Sequence, residues 1–247
     1  MHNFKAAYIN ELYKISKRKK ITAAAIMCLI VVAVGACVSC TVNNFMGINI
    51  TGKSEFSLMI LPVFTNAVIP LFAAFVCIDM FCGEVSANTL KTTLLTPVPR
   101  IKVYSAKVCA AFTFAAAMLL FTMAVSFLTS VVIGHTQFKI IKIILSYVIS
   151  IIPLAAFCTL AVAVANIAKG SGGSFMLCVV IFLVFKILEI FNPAYSSLFF
   201  TSGLNMYVLL NAPFIVFTKL IRVVIISVGY IVMLFSAGFM LFDRKEI

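Results

Sequence analysis

Six long apolar runs constrain this chain more than any other feature. They cover roughly residues 21–42, 58–82, 104–133, 140–168, 174–191 and 214–242. A helix needs about 20 apolar residues to cross the hydrocarbon core of a bilayer. The connections between the runs are short, so 247 residues leave no room for a separate soluble catalytic domain. Charged residues make up 11% of the chain, against about 25% in a soluble globular domain. The expected fold is an all-α polytopic membrane protein, one transmembrane domain over 1–247 with six transmembrane helices. The first run is 22 residues long. That exceeds the ~7–15 residues of a cleaved signal's apolar core, and the run reads as a retained span.

The formal net charge is +12. In a soluble protein that balance would point to nucleic acid. Beside membrane spans, bases collect in cytoplasmic segments, and no nucleic-acid partner is expected. Lys5, Lys14, Lys17, Arg18, Lys19 and Lys20 precede the first span, against the single acid Glu11. Lys91, Arg100, Lys102 and Lys107 fall between the second and third, Lys169 after the fourth, Arg244 and Lys245 after the sixth. This bias predicts a multi-pass protein with both termini cytoplasmic, diluted by Lys139 and Lys142 at an outer turn. Within residues 1–20, Phe4, Tyr8, Leu12 and Ile15 share a helical face. That is the pattern of a basic amphipathic helix lying in the inner interface.

Few residues offer chemistry. The only histidines are His2 and His135, and no HExxH, GxSxG or Ser–His–Asp arrangement is present, so neither catalytic nor metal-binding residues are expected. Cys37-Val-Ser-Cys40 has CxxC spacing but lies inside an apolar run with no second ligand pair. All eight cysteines sit in or beside apolar runs and read as small helix side chains. Gly47-Ile-Asn-Ile-Thr-Gly52-Lys53-Ser54 fits the P-loop pattern. That pattern cradles phosphate only between a buried strand and a helix; in a loop joining two spans it reads as a chance match. The inner turn Lys169–Ser174 reads as a flexible linker.

Inside the spans, Lys186 and Glu189 are three residues apart and share a helix face. They read either as a functional intramembrane pair or as groups snorkelling near the outer end. Pro70 and Pro153 predict breaks in the backbone ladder near Asn66 and Ser150. The uncharged stretch 192–213, punctuated by Pro193, Gly203 and Pro213, reads as an outer re-entrant hairpin packed on protein, with a simple surface loop as the alternative.

One polar interruption, Asp79 to Lys107, separates the second and third runs. Val85, Leu90, Leu94 and Leu95 form an approximate apolar stripe, ended by Pro97 and Pro99, which predicts a short helix over 85–96. Asp79, Gly83-Glu84, Thr89-Leu90, Leu94-Leu95, Pro97, Arg100 and Lys107 resemble the inner loop of ABC-2 type permeases, the membrane subunits of ABC exporters. Asn88 stands where those permeases commonly have Gly. The N-terminal Asn10-Glu11-Leu12-Tyr13-Lys14 and the tail Phe242–Ile247 are similar to the family's ends.

The resemblance implies a permease subunit of an ATP-driven exporter in the bacterial plasma membrane. Within it the 85–96 segment is a coupling helix, and Glu84, Thr89, Leu90, Leu94, Leu95, Pro97 and Arg100 meet the ATPase. It implies a cytoplasmic pair of ABC ATPase subunits carrying ATP and Mg, with no cofactor in this chain, and a second permease subunit, identical or homologous. The small size and absence of a large outer domain look like permeases for antimicrobial peptides of the lantibiotic and bacitracin type. The alternatives are an ATP-independent secondary transporter and a membrane sensory subunit.

Overall fold

A backbone in hydrocarbon must satisfy its N–H and C=O groups within its own segment, and an uncharged run of Leu, Ile, Val, Phe and Ala does so as an α-helix. The computed structural model describes residues 2–46, 56–86, 99–133, 140–167, 170–191, 198–211 and 217–244. Among these, every regular element is helical. Helix α1 (His2–Ser16) turns at Lys17 and Arg18 into α2 (Lys19–Met46). The second run is composite: α3 (Phe56–Val63), a π-helical segment (Phe64–Val68), α4 (Ile69–Ile78), a second π-helical segment (Asp79–Gly83) and α5 (Glu84–Ser86). Helices α6 (Arg100–Val132), α7 (Ile140–Ile167) and α8 (Ser171–Phe191) follow. Two short helices, α9 (Phe200–Gly203) and α10 (Met206–Asn211), lead to α11 (Phe217–Asp243). Six stretches are long and apolar enough to cross a membrane: Lys19–Thr41, Phe56–Gly83, Arg100–Val132, Ile140–Ile167, Ser171–Phe191 and Phe217–Asp243. The all-α, six-span fold expected from the apolar runs is the fold observed.

Of these six, α7 is the most buried, with α11, α6 and α4 packed around it. Its C-terminal half is rich in small residues, with Ala156, Ala161 and Ala165 wholly buried. Lipid tails are as apolar as leucine, so helices in a bilayer associate through close backbone approach at small residues. Two glycines mark such approaches. A Cβ on Gly203 would lie 2.9 Å from Pro153 Cβ, and one on Gly238 would run into the Tyr104 hydroxyl. By contrast α2, α8 and α11 leave most of their length uncovered. Ile30, Val34, Leu183, Ile190, Ile225 and Val232 are exposed there, as hydrocarbon surroundings allow.

Proline acts differently in the two spans that contain it. Pro70 lacks an N–H, and the π-helical segment lies just before it. The widened turns are satisfied by side chains: Asn66 Nδ2 donates to the Pro62 carbonyl at 3.0 Å, and Thr65 Oγ1 to the Leu61 carbonyl at 3.0 Å. Through Pro153, α7 continues as regular helix, and Ser150 Oγ donates to the Ser146 carbonyl at 2.8 Å. Residues 198–211 pack on α7, α8 and α11 and bury Phe200, Thr201, Leu204, Met206 and Leu210. The rest of the 192–213 stretch and the whole Gly47–Ser54 motif lie outside the described residues.

Helix α1 packs along the beginning of α6. Tyr8 and Leu12 rest against the core and Ile15 is buried. Glu11 turns inward with them and is buried too.

Candidate functional site

Glu11, Lys14 and Ile15 share one face of α1, because residues three and four apart are neighbours on a helix. Ile15 supplies the apolar contact that presses this face onto α6, and Glu11 is carried in beside it. There it meets Lys107, whose side chain is fully buried. Lys107 Nζ lies 2.7 Å from Glu84 Oε2 and 3.1 Å from Glu11 Oε2. It also donates to the Met80 carbonyl at 3.4 Å and lies 5.8 Å from the centre of the Phe81 ring. On the outer side Lys14 Nζ bridges the same two carboxylates, at 3.0 Å from Glu11 and 3.1 Å from Glu84. Two glutamates and two lysines thus alternate in a closed four-charge cluster. Its geometry gives each carboxylate two ammonium partners, the condition under which buried charge is tolerated.

The electrostatics follow from this arrangement. Burial alone would raise the Glu84 carboxyl pKa, but the Lys107 ammonium, with Lys14 behind it, outweighs burial and holds the carboxyl below its ordinary value of 4.5. Burial would lower the Lys14 pKa; its hydrogen bond to Glu11 and the charges of Glu11 and Glu84 more than offset this and raise it above 10.5.

A second cluster sits at the joint between α1 and α2. Asp79 pairs with Arg18, and its other oxygen lies 3.1 Å from Lys20, whose ammonium stands 4.3 Å from the centre of the Phe75 ring. Asp79 and Glu84 bracket the second π-helical segment. Five residues apart on an α-helix they would diverge by about 140°; i→i+5 bonding widens the turn, and both acids reach α1 and its joint. Gly83 leaves the space this needs, since a Cβ there would lie 3.0 Å from the Asp79 carboxylate. The ends of three spans are therefore lashed together: the start of α2, the end of the α3–α5 run and the start of α6.

Within the polar interruption, Glu84 at the end of the second span and Lys107 two turns into α6 are joined by the 2.7 Å ion pair. Of the residues the sequence pointed to, Glu84 is in the four-charge cluster. Arg100 opens α6 and faces α11, donating to the Asp243 carbonyl at 2.8 Å with the Asp243 carboxylate at 3.7 Å. Val85 is partly exposed. Thr89, Leu90, Leu94, Leu95 and Pro97, with most of the predicted 85–96 helix, lie outside the described residues.

Lys186 and Glu189 pair at 3.2 Å towards the other end of the bundle. They belong to a longer polar chain. Asn205 Nδ2 donates to Glu189 Oε1 at 3.3 Å, Asn66 Nδ2 donates to Asn205 Oδ1 at 3.0 Å, and Lys186 donates to the Thr201 carbonyl at 3.4 Å. The chain ties α8, the α9–α10 turn and the first π-helical segment. Beneath Asn66 lies an apolar cavity of about 190 Å³ walled by Pro70, Phe157, Val179 and Phe182. Asn66 and Asn205 escaped sequence reasoning, although the asparagine inside an apolar run was a visible signal. Glu11 was equally visible as the lone acid among six bases. Cys37 and Cys40 are exposed on α2, and among the described residues no three His, Cys, Asp or Glu side chains converge as a metal site would require.

Six membrane-length helices, with buried ion pairs at one end and a polar chain at the other, define a polytopic helical membrane protein. The chain belongs to the ABC-2 family: the model of the ABC-2 family transporter protein matches residues 9–189, a span that takes in every residue of both charge clusters. It is a membrane permease component of an ABC transporter, a transport subunit rather than a catalytic one. No curated protein matches the chain.

Proposed function

We propose that this permease works in an ATP-driven exporter, docked through a coupling helix over 85–96 onto a cytoplasmic pair of ATPase subunits that carry ATP and Mg. In this reading both termini are cytoplasmic, and the membrane is the bacterial plasma membrane. A second permease subunit, identical or homologous, completes the pathway. The cargo class is amphipathic: antimicrobial peptides of the lantibiotic or bacitracin type, or similar compounds taken from the bilayer. One observation carries the reading. The helices on either side of the 85–96 segment are tied together, Glu84 at the end of the second span to Lys107 two turns into α6, in a buried charge cluster. A push on this segment loads two spans together instead of splaying them, which is what a docking element needs to move helices. Glu84, Thr89, Leu90, Leu94, Leu95, Pro97 and Arg100 are the residues proposed to meet or support the ATPase.

The test is copurification of the chain with the ATPase encoded beside it, followed by ATP-driven transport in liposomes with nisin and bacitracin as probe peptides. Leu94→Asp is expected to leave the spans folded and to uncouple hydrolysis from transport; Glu84→Lys, which sets a third cation against Lys107 and Lys14, is expected to uncouple them and to lower stability as well. Wild-type transport in both variants would remove the coupling role. Transport that persists on an ion gradient without the ATPase would favour a secondary transporter.

A further inference from the structure

The polar chain through Asn66 and Asn205 has a direction. Glu189 pairs with Lys186 at 3.2 Å, and an ionised carboxylate only accepts hydrogen bonds. Asn205 therefore turns its Nδ2 to Glu189 Oε1, at 3.3 Å, and its own Oδ1 to Asn66. Asn66 meets that oxygen with Nδ2 at 3.0 Å, and the same nitrogen donates to the Pro62 carbonyl at 3.0 Å. Both partners are acceptors, so the Asn66 amide cannot be reversed. Its Oδ1 is the end left over: it is buried and accepts no hydrogen bond. A buried acceptor without a donor is costly, and the charge of Glu189, passed along the chain, holds it that way.

Asn66 also walls the cavity of about 190 Å³ between the second, fourth and fifth spans. The remaining described walls are apolar, Pro70, Ala74, Phe157 and Phe182 among them. An apolar cavity of about 150 Å³ stays dry and takes up benzene. A water would need two or more polar partners, and Asn66 is the one polar residue among the described walls. At the rim, Leu71 and Leu183 are half exposed, so the cavity opens sideways to the hydrocarbon.

We propose that this cavity is a binding site for a lipid-dissolved molecule that inserts one ring-sized apolar group bearing a hydroxyl or N–H donor. The apolar walls take the ring, and Asn66 Oδ1 accepts from the donor. An ether of the same size gains only the walls, because the Glu189–Asn205–Asn66 chain offers it no donor. The site lies within one subunit and needs neither an ATPase nor a second permease, so it stands apart from the transport reading.

The experiment uses the full chain in nanodiscs of phosphatidylcholine and phosphatidylglycerol. The sequence has no Trp, so a single Trp is an unambiguous reporter. Val63→Trp lies one turn before the wall residue Ala67, on the same exposed face. Ile225→Trp, exposed on α11 at a similar distance along its span, is the reference, since α11 gives the cavity no described wall. The probes are para-bromophenol and para-bromoanisole, which share the ring and the quenching bromine and differ in the donor. Relative to the reference, para-bromophenol is expected to quench Val63→Trp at about 2- to 10-fold lower concentration than para-bromoanisole, the range that one net hydrogen bond supplies. Adding Asn66→Leu is expected to abolish that preference. Equal quenching by the two probes, or a preference that survives Asn66→Leu, overturns the proposal. If Asn66→Leu does not fold, Ala67→Phe decides, because it narrows the cavity and removes no hydrogen-bonding side chain. Loss of the phenol preference then supports the site, and its persistence overturns it.

Discussion

At the scale of single residues, Lys107 is the group on which most depends. Removing one partner of a buried ion pair costs about 3–5 kcal/mol, because the remaining charge is left uncompensated. Lys107→Met would leave Glu11 and Glu84 facing each other with Lys14 alone between them. We expect a loss of that size in thermal unfolding in detergent, and a smaller one for Lys186→Met. The Lys186–Glu189 pair is partly exposed, and Glu189 keeps its bond from Asn205. The pH dependence has a definite sign. Glu84 has a depressed pKa, so its contribution is present above 4.5, its ordinary value, and is lost as pH falls through the lower folded value. Lys14 has a raised pKa, so its contribution is present below 10.5 and is lost as pH rises through the higher folded value. Docking of α1, followed by tryptic cleavage at Lys17 and Arg18, should therefore be unchanged between these limits and weaken outside them.

At the scale of elements, close packing of α11 on α6 and α7 depends on Gly238. Tyr104 is fully buried, with its ring against Phe81, Phe235, Phe239 and Phe242, and its hydroxyl fills the space a Cβ on residue 238 would need. Overpacking of a well-packed core costs about 1–3 kcal/mol, so Gly238→Ala should lower thermal stability by that amount. Tyr104→Phe should cost less, since the hydroxyl's bond to the Phe235 carbonyl is long at 3.4 Å. Combined, the two changes should recover most of the loss, a non-additivity expected only of residues in contact. Phe81 packs between Tyr104 and the Lys107 head group, so this aromatic cluster also backs the charged one.

At the scale of the whole molecule, charge tethers the two ends of the bundle differently. The two clusters at one end hold seven charged side chains from α1, its joint, the start of α2, the α3–α5 run and α6, besides Arg100 and Asp243. The other end holds a linear chain through Asn66 and Asn205. Replacing Asn205 with Leu should free Glu189 and Asn66 together, lowering stability by about 1–2 kcal/mol as measured for hydrogen bonds between membrane helices. Unfolding of the wild-type and Asn205→Leu chains under identical detergent conditions checks this. A loss confined to that end would leave the copurification of an ATPase unaffected.

Local pattern determined a great deal. Uninterrupted apolar runs can satisfy their backbones in hydrocarbon only as helices, so six spans and an all-α fold were legible from residue order. So were the polar interruption after the second span and the shared face of Lys186 and Glu189, both of which depend on short-range periodicity. The partners across helices were not legible. Glu11 and Lys107 are 96 residues apart, and Asn66 and Asn205 are 139 apart; which faces meet is decided by how the helices pack, which local periodicity does not encode. The π-helical register between Asp79 and Glu84 was hidden for the same reason. An α-helical reading turns those acids away from each other, and only the ladder formed in the packed bundle brings Glu84 to α1 and Asp79 to its joint with α2. Sequence determined that this chain is a helical membrane protein with one polar loop between its second and third spans. Tertiary structure decided that α1 is tied into the root of that loop, because a buried carboxylate is stable only where packing delivers its cations.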